Sequence, residues 1–445
     1  MPAAVDRSGI KQLVALRDEL STAIDRISQS EDPLPALSSL DLPFLPPSPA
    51  VLEATTVTRE LLALLLGVTA PLDKTMGFHL SSALRVVIEA HVVETLREAK
   101  EGKKDGLHVE EIAKSSNIDP AKLARILRLL AAHWIFVEKE PDVFTLNRPA
   151  LFLDTGKSVE ELNSTKDWYT GTNGFAALVA HTVDDVMKGS AILTETLLDK
   201  ETGHSYKPEH AASVRGTGMQ EPIWAYWAQP GNKHLAARFG AAMLATRLFA
   251  GEGLGFQDLP KNATLVDVGS GVGSAALLIA KSAPQIKLVL QDRPEVIIGE
   301  AQKVWQKEAP EDINSGRVQL TVHDFFKPQP VKNADVYFLR AVIHDWPDDL
   351  AIPILRHLRD AASRSSKLIL MEQPIDHIPP SGRVANLNPY SIDQQMLVAI
   401  NAMERTAEQY AALALKAGWQ IKKVWKTGPN GTEGGFRHYE FAPAE

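Results

Sequence analysis

Residues 264–274 read Thr264-Leu265-Val266-Asp267-Val268-Gly269-Ser270-Gly271-Val272-Gly273-Ser274. An apolar, β-branched run ends in three alternating glycines and passes at once into the alanine- and leucine-rich stretch Ala275–Lys281. The pattern predicts a buried strand, a tight turn and a helix. Glycines there let backbone approach a ligand, and the helix N-terminus offers free N–H groups. A dinucleotide fingerprint ends on glycine, whereas position 274 is Ser. The G-x-G-x-G spacing behind Asp267 instead suits close approach of backbone to a nucleoside.

With 445 residues, the chain is long enough for two or three domains. Its net charge of -8 argues against wholesale contact with a phosphate backbone, so no nucleic-acid partner is expected. It has no cysteine, which removes disulfides, thiolate catalysis and thiolate-held metal. The N-terminus lacks a signal-peptide pattern, and the most apolar run, Leu61–Val68, is too short to span a bilayer. We expect a soluble, cytoplasmic protein without a membrane partner.

Residues 8–30 read as an amphipathic helix with Ile10, Leu13, Leu20, Ile24 and Ile27 as its stripe, a face that must pack on the chain or on a second subunit. Six prolines (33, 35, 43, 46, 47 and 49) then predict an extended strap. Residues 50–100 are helical in pattern. A helix opened by Asp119-Pro120 follows, and then a hairpin over Ile135-Phe136-Val137 and Val143–Leu146, giving a winged-helix order. Lys122, Arg125 and Arg128 would serve DNA recognition, but the surrounding Glu110, Glu111, Glu138 and Glu140 favour a dimerisation module. Further helices carry Trp224 and Trp227, then Phe239 and Met243 four residues apart. We place boundaries at 1–49 for helix and strap, 50–215 for the helical unit and 216–445 for the glycine-turn unit.

From 264 onward, strand candidates at 264–268, 286–291, 318–322, 335–339 and 366–371 alternate with helices, as in a parallel sheet covered on both faces. Two more, near 420–425 and 436–441, would add an antiparallel pair. Ligands bind outside the carboxyl ends of such strands. There the chain places the glycine turn, Asp292, Asp324-Phe325, Arg340 to Trp346, and Glu372. Asp292 can accept ribose hydroxyls, while Asp324 with Phe325 can hold an adenine amino group and ring. His344, with an ordinary pKa of about 6.5, is the natural proton acceptor. Glu372 and Glu404 are placed to flank it. A His–Asp pair can also bind metal, but no cysteine or HExxH spacing supports one, so no metal is expected.

Val266–Gly273, His323-Asp324-Phe325-Phe326, His344-Asp345-Trp346 and Glu404-Arg405-Thr406 together resemble the motifs of plant- and fungal-type, metal-independent small-molecule O-methyltransferases. The resemblance implies an α/β fold: a Rossmann-like, seven-stranded methyltransferase domain behind a mostly helical, winged-helix dimerisation domain. It implies S-adenosylmethionine as cofactor, S-adenosylhomocysteine as product, a homodimer, and a hydroxylated, aromatic small-molecule substrate of secondary metabolism. Carried over by motif, Asp267, Gly269, Gly271, Gly273, Asp292, Asp324, Phe325, Arg340 and Trp346 would bind cofactor. His344 would be the base, with Glu372 and Glu404 orienting it. Phe239, Met243, Met396 and Asn401 would line the substrate pocket. The chain departs from the family in Arg340, where Lys is common, and in the short Asn401-Ala402-Met403 segment before Glu404. The same residues admit two other functions: an enzyme of this fold that binds S-adenosylmethionine but catalyses a cyclisation, and a winged-helix regulator that senses a nucleoside.

Overall fold

The computed structural model describes residues 8–30, 34, 36–40, 48–246, 254–384, 386–426 and 435–445. At the N-terminus, α1 (Ser8–Gln29) packs along α2 (Pro49–Leu66). The seam differs from the expected stripe. Leu16 and Ala23 are buried, Leu13, Leu20 and Ile27 are half-buried, and Ile10 and Ile24 face outward. Positions 13, 16, 20, 23 and 27 follow a strict three–four alternation. Ala23, too small to register as a hydrophobic signal, lets the two helices approach. Of the strap prolines, only Pro49 lies within the described residues, where it opens α2 behind the Ser48 cap.

The winged-helix unit contains α3 (Pro120–Ala132), capped by the Asp119 carboxylate on the Lys122 amide, and strands β1 (Leu107–His108), β2 (Val137–Glu140) and β3 (Val143–Thr145) in the order β1-β3-β2. The first hairpin strand starts two residues later than expected. Trp134 and Phe136 adopt positive φ, and the buried Asn147 side chain ties their backbone by bonds of 2.8–3.2 Å to the Trp134 carbonyl and to both backbone groups of Phe136. Arg128 is engaged by Glu138 and Asp142. Beyond this unit, α4 (Lys233–Ala245) bridges towards the sheet.

That sheet has seven strands in the order β6-β5-β4-β7-β8-β10-β9. Strands β4 (Thr264–Val268), β5 (Lys287–Asp292), β6 (Val318–Val322), β7 (Val336–Arg340) and β8 (Lys367–Glu372) are parallel and lie within one residue of the expected segments. β9 (Trp419–Lys426) and β10 (Arg437–Pro443) form the antiparallel pair, with β10 against β8. Two apolar layers, one on each face, bury the central strands almost completely, which explains why their sequences do not alternate. β4 is central, so the turn into α5 (Ser274–Ser282) opens at the middle of the carboxyl edge. α6 (Asn388–Ile400) follows β8 and returns the chain to the same edge. Among the described residues no helix is long and apolar enough to cross a membrane.

Candidate active site

Gly269, Gly271 and Gly273 all have positive φ (69°, 56° and 86°), the region that favours glycine. Their surroundings separate their roles. A Cβ at Gly273 would lie 2.4 Å from the Trp305 indole nitrogen and 2.8 Å from Leu290, so this glycine serves helix–sheet packing. A Cβ at Gly269 would meet Val342 at 3.0 Å and the Phe325 ring at 3.5 Å. A Cβ at Gly271 would meet nothing within 4 Å: here the turn is open. The Gly271 amide donates to Asp292 Oδ2 at 2.8 Å, and the Arg293 amide to Oδ1 at 2.7 Å, so the turn orients the acid at the next strand end. Burial raises the Asp292 pKa, against these two amides.

Asp267 and Arg340 occupy the same face of β4 and β7. Asp267 is buried, its Oδ2 has no hydrogen-bond partner among the described residues, and burial pushes it up to about 7 against the pull of Arg340. Arg340 donates from Nη1 to Ser274 Oγ (3.2 Å) and from Nη2 to the Thr246 carbonyl (3.0 Å), and lies 4.9 Å from the centre of the Phe436 ring. Burial lowers it to about 10, with Asp267 and Glu372 opposing. Its Nη groups thus tie β7 to the start of α5 and the end of α4. Phe325, Phe326 and Trp346 form a ring cluster with centroids 4.9–5.8 Å apart, beside Gly269. Asp324 caps the Phe326 amide at 2.9 Å, and the buried Trp346 indole N–H has no partner among the described residues. An open glycine, an oriented carboxylate, an aromatic cluster and unpartnered buried polar atoms at one edge suit a nucleoside.

His344 lies on the single turn Ile343–Asp345 beyond β7. Its Nδ1 is 2.6 Å from Glu404 Oε1, and its Nε2 is 3.3 Å from Asp345 Oδ1. Glu372 does not bond the ring: its Oε1 accepts the Val342 and Ile343 amides (3.2 and 2.8 Å), holding the backbone that carries His344. Burial alone would depress the imidazole, but Glu404 and Asp345, then Glu372, raise it to about 10. Burial pushes Glu372 up to about 7, with His344 lowering it, and Asp345 up to about 6, also against His344. His344, Glu372 and Glu404 offer donor atoms within 4.8 Å of one another, a spacing that could hold a metal ion; His344 Nδ1 and Glu404 Oε1 meet each other and Glu372 Oε1 holds the two amides, while Glu372 Oε2 has no hydrogen-bond partner among the described residues.

Of the residues expected to line the substrate pocket, Phe239 and Met396 share one apolar cluster. Phe239 packs with Trp224, Trp227 and His181 at centroid distances of 5.0–5.3 Å. Met243, one turn along α4, packs on the core of the winged-helix unit instead. Asn401 caps α6 at φ 57°, and its amide nitrogen is spent on the Ser205 and Lys207 carbonyls (2.7 and 3.0 Å). Sequence reasoning assigned no role to Asp345, although it adjoins His344, or to His181. The latter is buried, has no partner for Nδ1 among the described residues, and is pushed down to about 3 by burial, so it is neutral. Arg293, next to Asp292, donates to the Trp224 carbonyl at 3.4 Å, which ties the Trp224, Trp227 and Phe239 rings to the end of β5.

The parallel sheet, its open glycine turn and the acids at its edge define a methyltransferase-type protein. Residues 193–420 match the O-methyltransferase domain and residues 72–153 the O-methyltransferase dimerisation domain. The chain is 33% identical to 4-O-methyltransferase 1 of Phanerochaete chrysosporium over 94% of its own length and 96% of that protein's. It is 36% identical to an O-methyltransferase of Armillaria gallica over 76% of each. It belongs to the O-methyltransferase family, enzymes whose methyl donor is S-adenosylmethionine. In fold it matches OxaC, solved with sinefungin and meleagrin (TM-score 0.72, 20% identity, 97% of this chain and 98% of that one). LepI, solved with S-adenosylmethionine, is similar at TM-score 0.71 and 18% identity, over 98% of this chain and 100% of that one.

Proposed function

We propose that this O-methyltransferase methylates a hydroxyl oxygen of a flat aromatic small molecule, with His344 as general base. The observation that carries this reading is the 2.6 Å contact between Glu404 and His344 Nδ1 on the turn beyond β7, at the edge where Gly271 and Asp292 open. A phenol has a pKa of about 10 and is a poor nucleophile at neutral pH, so a proton acceptor at the attacking oxygen is required. When bound, S-adenosylmethionine supplies an electrophilic methyl group on a positively charged sulfur. Asp292 accepts the ribose hydroxyls, and Phe325 with Trp346 holds the base ring. Phe239, Trp224 and Met396 support the acceptor ring, and neutral His181 offers it a hydrogen-bonding group. The acceptor hydroxyl displaces Asp345 from His344 Nε2. Asp345 takes the resting Nε2 proton as it leaves the ring and releases it to solvent, and without that carboxylate beside it the imidazole holds a proton less tightly. The freed Nε2 then takes the hydroxyl proton, and Glu404 stabilises the imidazolium that forms.

The same reading includes a homodimer built on the N-terminal helices. The catalytic test is transfer of label from methyl-labelled S-adenosylmethionine to a panel of phenols, read by mass spectrometry. Labelled product is expected. Binding of the cofactor without label transfer to any phenol would favour a non-methylating reaction.

A further inference from the structure

Between α6 and Glu404 lie only Asn401, Ala402 and Met403. This short segment is fastened tightly to the His344 turn. The Met403 amide donates to the His344 carbonyl at 3.3 Å, and Arg405 donates to the Ile343 and Trp346 carbonyls at 3.0 and 2.7 Å. On its other side, the Glu404 amide donates to Asp393 Oδ1 at 2.9 Å. Asp393 sits in the second turn of α6, half-buried, on a cleft of about 530 Å³ also bounded by His377, Tyr390, Leu397, Met403 and Thr406.

We propose that Asp393 is a positioning residue: by accepting the Glu404 amide it fixes the carboxylate that grips His344 Nδ1. The catalytic consequence rests on the reading of His344 as base. A carboxylate here has a cost, because Asp393 stands close to the like-charged Glu404. Burial, aided by that charge, raises the Asp393 pKa, and the amide bond offsets part of the rise. The residue nevertheless accepts the amide of the one residue whose side chain must meet a ring nitrogen at 2.6 Å. A buried carboxylate–imidazole contact this short tolerates little displacement, and misplacing a catalytic group by about 1 Å can cost ~100-fold in rate. Glu404 faces Tyr410, whose hydroxyl lies 3.5 Å from Oε2, a long contact that would not hold the carboxylate alone.

The test compares Asp393→Ala and Asp393→Asn in the full chain. Asparagine keeps an oxygen for the Glu404 amide and removes the charge. Asp393→Ala is expected to lower kcat ~10–100-fold with little change in acceptor KM or in S-adenosylhomocysteine affinity by calorimetry, while Asp393→Asn retains most of the rate. The second readout needs no turnover. In ¹⁵N NMR of histidine-labelled protein, with His344→Ala identifying the resonance, Asp393→Ala is expected to move the His344 titration to lower pH and Asp393→Asn to leave it near the wild-type position. An unmoved titration in Asp393→Ala, or equal impairment in both variants, would overturn the proposal. If His344→Ala itself turns over like wild type, the base reading falls, and the NMR comparison still decides the role of Asp393. If Asp393→Ala does not fold, Asp393→Ser, which offers a shorter acceptor, is expected to show an intermediate titration shift, and a wild-type titration there counts against positioning.

Discussion

At Asp292, two backbone amides converge on one carboxylate, leaving it aimed at the open side of Gly271. Asp292→Ala should weaken S-adenosylmethionine binding by ~1.5–3 kcal/mol, the usual worth of a charge-assisted hydrogen bond. Calorimetry giving equal affinities would remove Asp292 from the cofactor site. At His344, carboxylates stand at both ring nitrogens and hold the resting ring as imidazolium. His344→Ala should lower kcat by ~10²–10⁴ at pH 7 and recover as the phenol ionises. Asp345→Asn removes the charge facing Nε2, so the titration limb of kcat should move to lower pH; kinetics from pH 6 to about 10 check both expectations. The raised His344 pKa also bears on stability. Folding gains from the protonated ring, fully below its unfolded pKa of about 6.5, and this gain is lost as pH rises through about 10. Denaturant melts of wild type and His344→Ala across that window should converge at the alkaline end.

The element that positions the most chemistry is the strand–turn–helix from β4 to α5. Its three glycines look equivalent in sequence, yet their environments differ. Gly273→Ala combines φ of 86° with a Cβ 2.4 Å from Trp305, so it should cost ~1–3 kcal/mol and displace the N-terminus of α5. Gly271→Ala meets only the backbone strain and open space, and should affect cofactor affinity more than stability. Urea denaturation and calorimetry on the two variants distinguish these outcomes. The helix α4 shows how an element can serve two regions: Phe239 packs with Trp224 and Trp227, and Met243, one turn on, packs on the winged-helix core. Their spacing of four put both on one helix face, and the family resemblance put both in the substrate pocket. That face instead runs across the boundary between two apolar clusters, which no local periodicity reveals.

At the scale of the molecule, apolar side chains on the N-terminal helices remain exposed: Ile10, Val14 and Ile24 on α1, and Leu62 and Leu65 on α2. These helices are also joined to the loop that follows β8. Arg383 pairs with Glu19 and Glu60, and Arg59 donates to the Val384 carbonyl. An apolar surface left exposed among the described residues, in a chain with a matched dimerisation domain, leads us to expect a homodimer in solution. Light scattering should give twice the chain mass at micromolar concentration, and removal of residues 1–49 should weaken the association. A full-length monomer would count against it.

The sequence by itself determined the order of strands and helices from 264 onward, because a buried parallel sheet demands continuous apolar runs and its loops concentrate polar residues at one edge. It also set Glu372 and Glu404 beside His344, without distinguishing which of the two would meet the ring. Only the tertiary structure decided which contacts those residues make. Glu372 holds the turn beneath His344 and Glu404 holds the ring; Asp345 turns back on Nε2; Arg340 and Asn401 spend donors on backbone and hydroxyl oxygens. These outcomes depend on which loops meet across the sheet edge and on how many buried polar atoms compete for each partner. That competition runs between residues up to 196 positions apart, as in the bond from Asn401 to the Ser205 carbonyl, and it leaves no local pattern in the sequence.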